Sequence, residues 1–194
     1  YSPKSVVRDS PVSCGNWSPQ NYDGGSGSGR SLTVGQAFAQ SLNTVAVELS
    51  LTVDRDRVLE MAQRLGVQGV RKTCSMALGD TGITPLQHTG AYATFANGGN
   101  FVQPYAILEI FNSKGELIYS REKDEPAPQR VIQARVVEQM NQIMQMVVTE
   151  GTGKRATLDF THSCGKTGTS SSYRDAWFVG FTGSLVTGVW VGND

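Results

Sequence analysis

Lys166-Thr167-Gly168-Thr169-Ser170 sets an ammonium, side-chain hydroxyls and a glycine side by side, and the apolar runs Trp177 to Thr182 and Leu185 to Val191 follow closely. A polar, glycine-bearing segment ahead of two strand-like runs reads as the edge strand of an antiparallel sheet. An edge of this kind can hold an extended, anionic ligand. Its free N–H and C=O groups pair with a peptide as another strand would, while Lys166 and the threonine hydroxyls meet a terminal carboxylate. Gly168 has no Cβ, so a ligand can come close to the backbone there. Taken alone, the same stretch also fits a plain Thr- and Gly-rich strand end. It does not fit the end of a phosphate-binding loop, because Phe160 stands where that motif needs a glycine.

The chain has 194 residues, 39% of them hydrophobic, enough for a real core and better suited to one domain than to two. Lysine plus arginine equals aspartate plus glutamate at 17 each, so no basic field attracts nucleic acid, and no nucleic-acid partner is expected. No apolar run approaches a membrane span, and the first residues lack a signal peptide's regions. Any export or anchoring signal is expected outside these residues. Cys14, Cys74 and Cys164 are far apart, and with His88 and His162 they make neither a disulfide framework nor a zinc spacing. The cysteines read as buried or incidental, with any pairing left open by their spacing, and no metal or cofactor is expected.

Residues 1 to 32 read as a surface loop region. Pro3, Pro11, Pro19 and the Gly/Ser run from Gly24 to Gly29 dominate it, with one short strand around Ser5 to Arg8. Its abrupt start suggests a chain cut from something larger. Thr33 is a plausible N-cap for a helix carrying Val34, Ala37 and Phe38, which Ser41-Leu42-Asn43 interrupts before Val45, Val47, Leu49 and Leu51. Two small polar side chains at a helix junction can point into a cleft, although such residues also serve simply as caps.

Asp54 caps the next helix, which ends at Gly66, and Thr84-Pro85 opens another that runs through Phe95 and stops at Gly98-Gly99. His88, on that helix, reads as a packing or surface histidine. Ala106 to Phe111 and Glu116 to Tyr119 alternate around Asn112-Ser113-Lys114-Gly115 as a hairpin, and residues 122 to 130 follow as an exposed linker. Val136, Val137, Met140, Ile143, Met144, Val147 and Val148 lie on one face of an amphipathic helix and read as core. Gly151-Thr152-Gly153-Lys154-Arg155-Ala156 formally fits a dinucleotide motif, but a helix precedes it and a strand pattern follows, so it reads as a turn off the helix end.

Ser41-x-Asn43 followed much later by Lys166-Thr167-Gly168-Thr169-Ser170 resembles the second and third motifs of the penicillin-binding proteins and serine β-lactamases. Longer blocks, Trp17 to Tyr22, Ile83 to Leu86, Gly90 to Gly99, Asp175 to Gly180 and Gly188 to Gly192, are similar to class A penicillin-binding proteins in the same order and span nearly the whole chain. The resemblance implies an α/β (α+β) transpeptidase fold, an antiparallel sheet flanked by helices, here incomplete. It implies a DD-transpeptidase that acylates a serine with peptidoglycan stem peptides ending in D-Ala-D-Ala and passes the acyl group to an amine, with β-lactams as mimics of the donor.

Carried onto this sequence, the resemblance makes Ser41 a proton relay and Lys166 the source of positive charge within reach of it. Asn43 would bind the donor's amide region and help to place Lys166, and Thr167 and Thr169 would bind the donor's carboxylate. The Thr169 N–H would be one half of an oxyanion hole, and Gly168 and Ser170 complete the binding stretch. A class A parent is further expected to carry a glycosyltransferase domain and a membrane anchor, with this domain at the extracytoplasmic face of the bacterial inner membrane, in the periplasm.

The family's Ser-x-x-Lys nucleophile motif is missing before Ser41. A formal match, Ser120-Arg121-Glu122-Lys123, stands in the wrong order at the end of a strand, where residues three apart face opposite ways. The nucleophile is therefore expected outside this chain, as is the family's closing helix, and the isolated chain is expected to have no acyl-transfer activity. The competing expectation is a non-catalytic module that binds peptidoglycan peptides or β-lactams without acylation, and a β-lactam-hydrolysing relative is a third.

Overall fold

The computed structural model describes residues 1–193. Strand β1 (Val6–Arg8) pairs antiparallel with β2 (Ser31–Thr33), and helices α1 (Val34–Ala39), α2 (Asn43–Thr52) and α3 (Arg55–Arg64) follow in close succession. An irregular stretch with one 3₁₀ turn, Met76–Leu78, leads to α4 (Pro85–Ala96), β3 (Asn100–Phe101), β4 (Glu109–Phe111) and β5 (Leu117–Ser120). A single helical turn, α5 (Arg121–Asp124), precedes β6 (Gln129–Arg130) and the long helix α6 (Ala134–Thr149). Strands β7 (Cys164–Thr169), β8 (Asp175–Phe181) and β9 (Val186–Gly192) complete the order.

The helix starts are where short-range chemistry puts them. Thr33 accepts from the Gln36 N–H while the Gln36 side chain accepts from the Thr33 N–H, a reciprocal capping box. Asp54 caps α3 through the Asp56 N–H, and Thr84 caps α4 with Pro85 at the first helical position. Gly66, just past α3, has φ 81°, and a Cβ there would lie 2.7 Å from the Phe101 ring. Only glycine satisfies both conditions.

Strands β7, β8 and β9 form an antiparallel sheet in that order, with Lys166 opposite Val179 and Gly168 opposite Trp177. Strand β7 therefore lies at an edge, as its polar composition predicts. Helix α6 packs against β7 and α1, burying Val137, Ile143, Met144, Val147 and Val148 on its apolar face. Each such side chain contributes about 1.5–3 kcal/mol on leaving water. Helix α4 packs on β8 and β9, and the His88 ring stacks 5.0 Å from that of Trp177. His88 is thus a packing residue, the first of the two alternatives its sequence leaves open.

Four expectations need correction. Cys14 and Cys74 form a disulfide closing 60 residues of sequence, whereas Cys164 is a free thiol. The pairing was illegible because no helical or strand spacing relates the two positions. Residues 122–130 are exposed, as expected of a linker, but Arg121–Asp124 is helical and Gln129–Arg130 pairs with β3. The hairpin's first strand starts at Glu109, three residues later than its alternation suggests. Finally, the region of residues 1–32 holds the expected strand β1 and is otherwise mostly irregular, yet it buries Asp9 and Asn21.

Candidate active site

Helix α1 ends in a turn whose Ser41 N–H donates to Phe38 O and whose Leu42 N–H donates to Ala37 O. This pair of bonds ordinarily places glycine at the left-handed position. Here Ser41 occupies it, with φ 56°. A non-glycine residue in this conformation costs roughly 1–2 kcal/mol, a strain that proteins keep mostly at functional positions. The turn delivers the Ser41 hydroxyl toward β7, where Lys166 Nζ donates to it at 2.7 Å and to the Thr167 carbonyl at 2.9 Å.

The Lys166 ammonium also sits 5.7 Å from the centre of the Phe38 ring, an electrostatically favourable contact for a cation. Burial against this apolar wall pulls its pKa down from 10.5 to about 8. The group remains mostly protonated at neutral pH but gives up its proton far more easily than a solvated lysine.

Asn43 opens α2, and its Nδ2 donates to Gln20 O at 2.7 Å. The side chain is therefore tied to the loop of residues 1–32, and it makes no hydrogen bond to Lys166 among the described residues. Its Oδ1 remains available as an acceptor. The next residue anchors the loop more deeply. Thr44 Oγ1 donates to Asp9 Oδ1 at 2.6 Å, and the Thr44 N–H donates to Asn21 Oδ1 at 3.3 Å. Asp9 also accepts from the Ser28 N–H and hydroxyl, both at 2.8 Å, and from Asn21 Nδ2 at 3.1 Å.

Burial alone would raise the Asp9 pKa, but these hydrogen bonds outweigh it and hold the carboxyl at about 2. Helix α2 has no side-chain cap of its own and no acidic residue in its first turn. Asp9 and Asn21 supply both from the loop, placing an anion near the positive end of the helix.

On β7, Ser170 N–H donates to Asp175 O across the ladder. Because strand backbone groups alternate in direction, the N–H groups of Thr169 and Thr167 face the free edge. The Thr167 hydroxyl lies 2.6 Å from that of Thr152, in the turn after α6. Gly168 stands between Thr167 and Thr169 with its missing Cβ nearest to Trp177. Ser170 Oγ is engaged elsewhere, donating to Asp175 Oδ2 at 2.7 Å, while Trp190 Nε1 donates to Asp175 Oδ1 at 2.9 Å. Ser170 therefore shapes the strand end that presents Thr169.

The fold brings Ser41, Lys166 and Thr167 together and sets Asn43 two residues from Ser41 on the adjoining helix. Three contributors were not singled out in the sequence: Asp9, Thr44 and Thr152. Asp9 and Thr44 carry no local pattern, and Thr152 is visible only as the middle of a glycine-flanked turn. Among the described residues no group of three or more His, Cys, Asp or Glu could hold a metal ion, and no helix is long and apolar enough to cross a membrane.

A family model described as the penicillin binding protein transpeptidase domain matches residues 1–187. Penicillin-binding protein 1A of Aquifex aeolicus is 38% identical over 179 residues, covering 92% of this chain and 24% of that protein. Penicillin-binding protein 4 of Bacillus subtilis is 33% identical over 198 residues, covering 98% and 30%. The chain thus spans less than a third of either relative. Among solved structures, penicillin-binding protein 1A from Haemophilus influenzae superposes with a TM-score of 0.85 at 26% identity, over all of this chain and 35% of that one. The PonA1 protein from Mycobacterium tuberculosis in complex with penicillin V shares the fold, with a TM-score of 0.88 at 23% identity over 100% and 55%.

Proposed function

Because the chain belongs to the penicillin-binding protein transpeptidase domain family, we propose that it is the ligand-clamping part of a DD-transpeptidase. That enzyme cross-links peptidoglycan stem peptides ending in D-Ala-D-Ala and is blocked by β-lactams. The single observation that carries this reading is the 2.7 Å bond from Lys166 Nζ to Ser41 Oγ, made by residues 125 apart in sequence.

The donor peptide lies along the free edge of β7 as an added strand. Its terminal carboxylate meets the hydroxyls of Thr167 and Thr169 near the Lys166 charge, and Asn43 Oδ1 accepts an N–H from the donor's backbone. The Thr169 N–H, on the same edge, donates to the carbonyl oxygen as negative charge develops there, a contribution of roughly 3–4 kcal/mol in acyl-transfer enzymes.

Proton accounting assigns Ser41 its role. Lys166 donates to Ser41 Oγ, so the serine's own proton is free to be given away. Ser41 passes it to the departing amine nitrogen as the C–N bond breaks and is reprotonated by Lys166, whose pKa of about 8 lowers the cost of the transfer. When the acceptor amine attacks, the proton returns by the same route.

The attacking serine is supplied by a Ser-x-x-Lys pair that residues 1–41 do not contain. Strand geometry does not exclude Ser120, because Arg121–Asp124 is helical and puts Lys123 one turn on, but Ser120 is buried at the end of β5 whereas Lys123 is exposed and cannot serve as a desolvated base. The parent protein is placed at the extracytoplasmic face of the bacterial inner membrane, membrane-anchored and carrying a glycosyltransferase domain.

Intact-mass spectrometry with penicillin G tests the reading, run in parallel on this chain and on the full-length parent protein. The expected outcome is a mass gain on the parent alone, on a serine outside residues 1–194. Two folded but unlabelled proteins would leave a binding module in its place.

A further inference from the structure

Thr152 stands in the turn that closes α6, where the Gly151 N–H donates to Met146 O and the Gly153 N–H to Val147 O. Its own N–H donates to Ala39 O at 3.0 Å, two residues before Ser41. A Cβ on Gly151 would come within 2.3 Å of that same carbonyl, so the turn and the end of α1 meet backbone to backbone. The Thr152 hydroxyl meanwhile lies 2.6 Å from the Thr167 hydroxyl on β7. One residue thereby holds both walls of the site, through its backbone on the Ser41 side and through its side chain on the Lys166 side.

We infer that Thr152 is a positioning residue for the ligand's carboxylate, acting through Thr167; this rests on the transpeptidase reading above. A hydroxyl has one proton to donate, and a carboxylate only accepts. Thr167 can donate to the carboxylate only if it accepts from Thr152. Binding thus fixes one direction for the chain, Thr152 to Thr167 to carboxylate, with each donor polarising the next. Without a ligand the pair can point either way. The ligand's charge selects the direction, and the bond from Thr152 keeps the Thr167 oxygen satisfied while its proton faces outward.

Thr152→Val keeps the shape and the backbone bond to Ala39 but removes the donor. The test uses the full-length protein and two probes, penicillin G and its neutral carboxylate ester, and measures the second-order acylation rate constant for each. The wild type is expected to prefer the acid. In Thr152→Val the acid-to-ester ratio should fall about fivefold, the equivalent of one net hydrogen bond, mainly through weaker binding and with little change in the limiting rate. Thr152→Ser should restore the ratio, which separates loss of the hydroxyl from loss of folding.

An unchanged ratio in Thr152→Val, or equal slowing of both probes, overturns this inference while leaving the transpeptidase reading intact. A wild-type protein that takes no label from penicillin G overturns both.

Discussion

The Oγ of Ser41 accepts a 2.7 Å hydrogen bond from Lys166 Nζ while its own backbone sits at φ 56° in a position that usually belongs to glycine. The hydroxyl is where it is because the backbone is strained, so stability and chemistry pull in opposite directions at this residue. Ser41→Gly and Ser41→Ala both delete the hydroxyl, yet only glycine accepts the left-handed conformation freely. The glycine variant should be about 1 kcal/mol more stable than the alanine variant by urea denaturation. Both should lose acylation by penicillin G to the same extent in the full-length protein. An alanine variant as stable as glycine would mean that the turn carries no strain.

Lys166 makes a prediction with a definite sign. Its folded pKa of about 8 lies below the ordinary 10.5, so the unfolded chain binds the extra proton and stability rises with pH between the two values. The cost of burying the charge is fully present below about pH 8 and, at most, on the order of 3 kcal/mol. Lys166→Met should therefore be more stable than the wild type at pH 7, with the gain shrinking toward pH 10.5. Acylation of the full-length protein should run the other way, falling as pH rises through about 8 because the ammonium that meets the carboxylate is lost. A flat stability difference between pH 7 and pH 10 would contradict the burial of the charge.

What could be read beforehand follows from the range of the forces. Thr33, Asp54 and Thr84-Pro85 mark helix starts because capping acts over three residues, and the polar β7 ahead of two apolar runs marks an edge strand because its ammonium and hydroxyls suit a strand with an open side. Ser41 stood out as a polar interruption between helices, although its left-handed backbone did not. The orientation of Asn43 toward Gln20, the bond of Thr44 to Asp9 and the pairing of Cys14 with Cys74 join positions more than 20 residues apart. No local period encodes such contacts. The helical turn at Arg121–Asp124 escaped notice because four charged residues offer no apolar face.

Asp9 turns the loop of residues 1–32 into a support for the site. Its folded pKa of about 2 lies below the ordinary 3.8, so the stability it contributes is present above about pH 4 and is lost as pH falls through about 2. The shift corresponds to roughly 2 kcal/mol. Asp9→Asn should lower stability at pH 7 by a similar amount and flatten the acid limb between pH 4 and pH 2. Since Thr44 follows Asn43 directly, the same variant should also weaken penicillin binding, whereas Arg8→Ala, on an exposed neighbour, should leave it unchanged. Acid unfolding curves that overlay for wild type and Asp9→Asn would show the carboxylate to be dispensable.

The disulfide reaches the site through the same loop. Cys14 lies between Asp9 and the Gln20-Asn21 pair that holds α2, and its bond to Cys74 closes a loop of 60 residues. In the chain-entropy picture a closure of that length stabilises by about 4 kcal/mol, chiefly by restricting the unfolded chain. For a domain of this size the loss should appear as a fall in Tm of about 10 °C. Cys14→Ser and treatment with dithiothreitol should give the same fall, and Cys164→Ser should give none, since Cys164 is unpaired. The reduced full-length protein should also acylate more slowly at temperatures where it remains folded, because Gln20 O is what positions Asn43. If reduction lowers Tm but leaves the acylation rate untouched, the disulfide stabilises the fold without bracing the cleft, and the bonds of Asp9 and Asn21 to Thr44 hold the start of α2 without it.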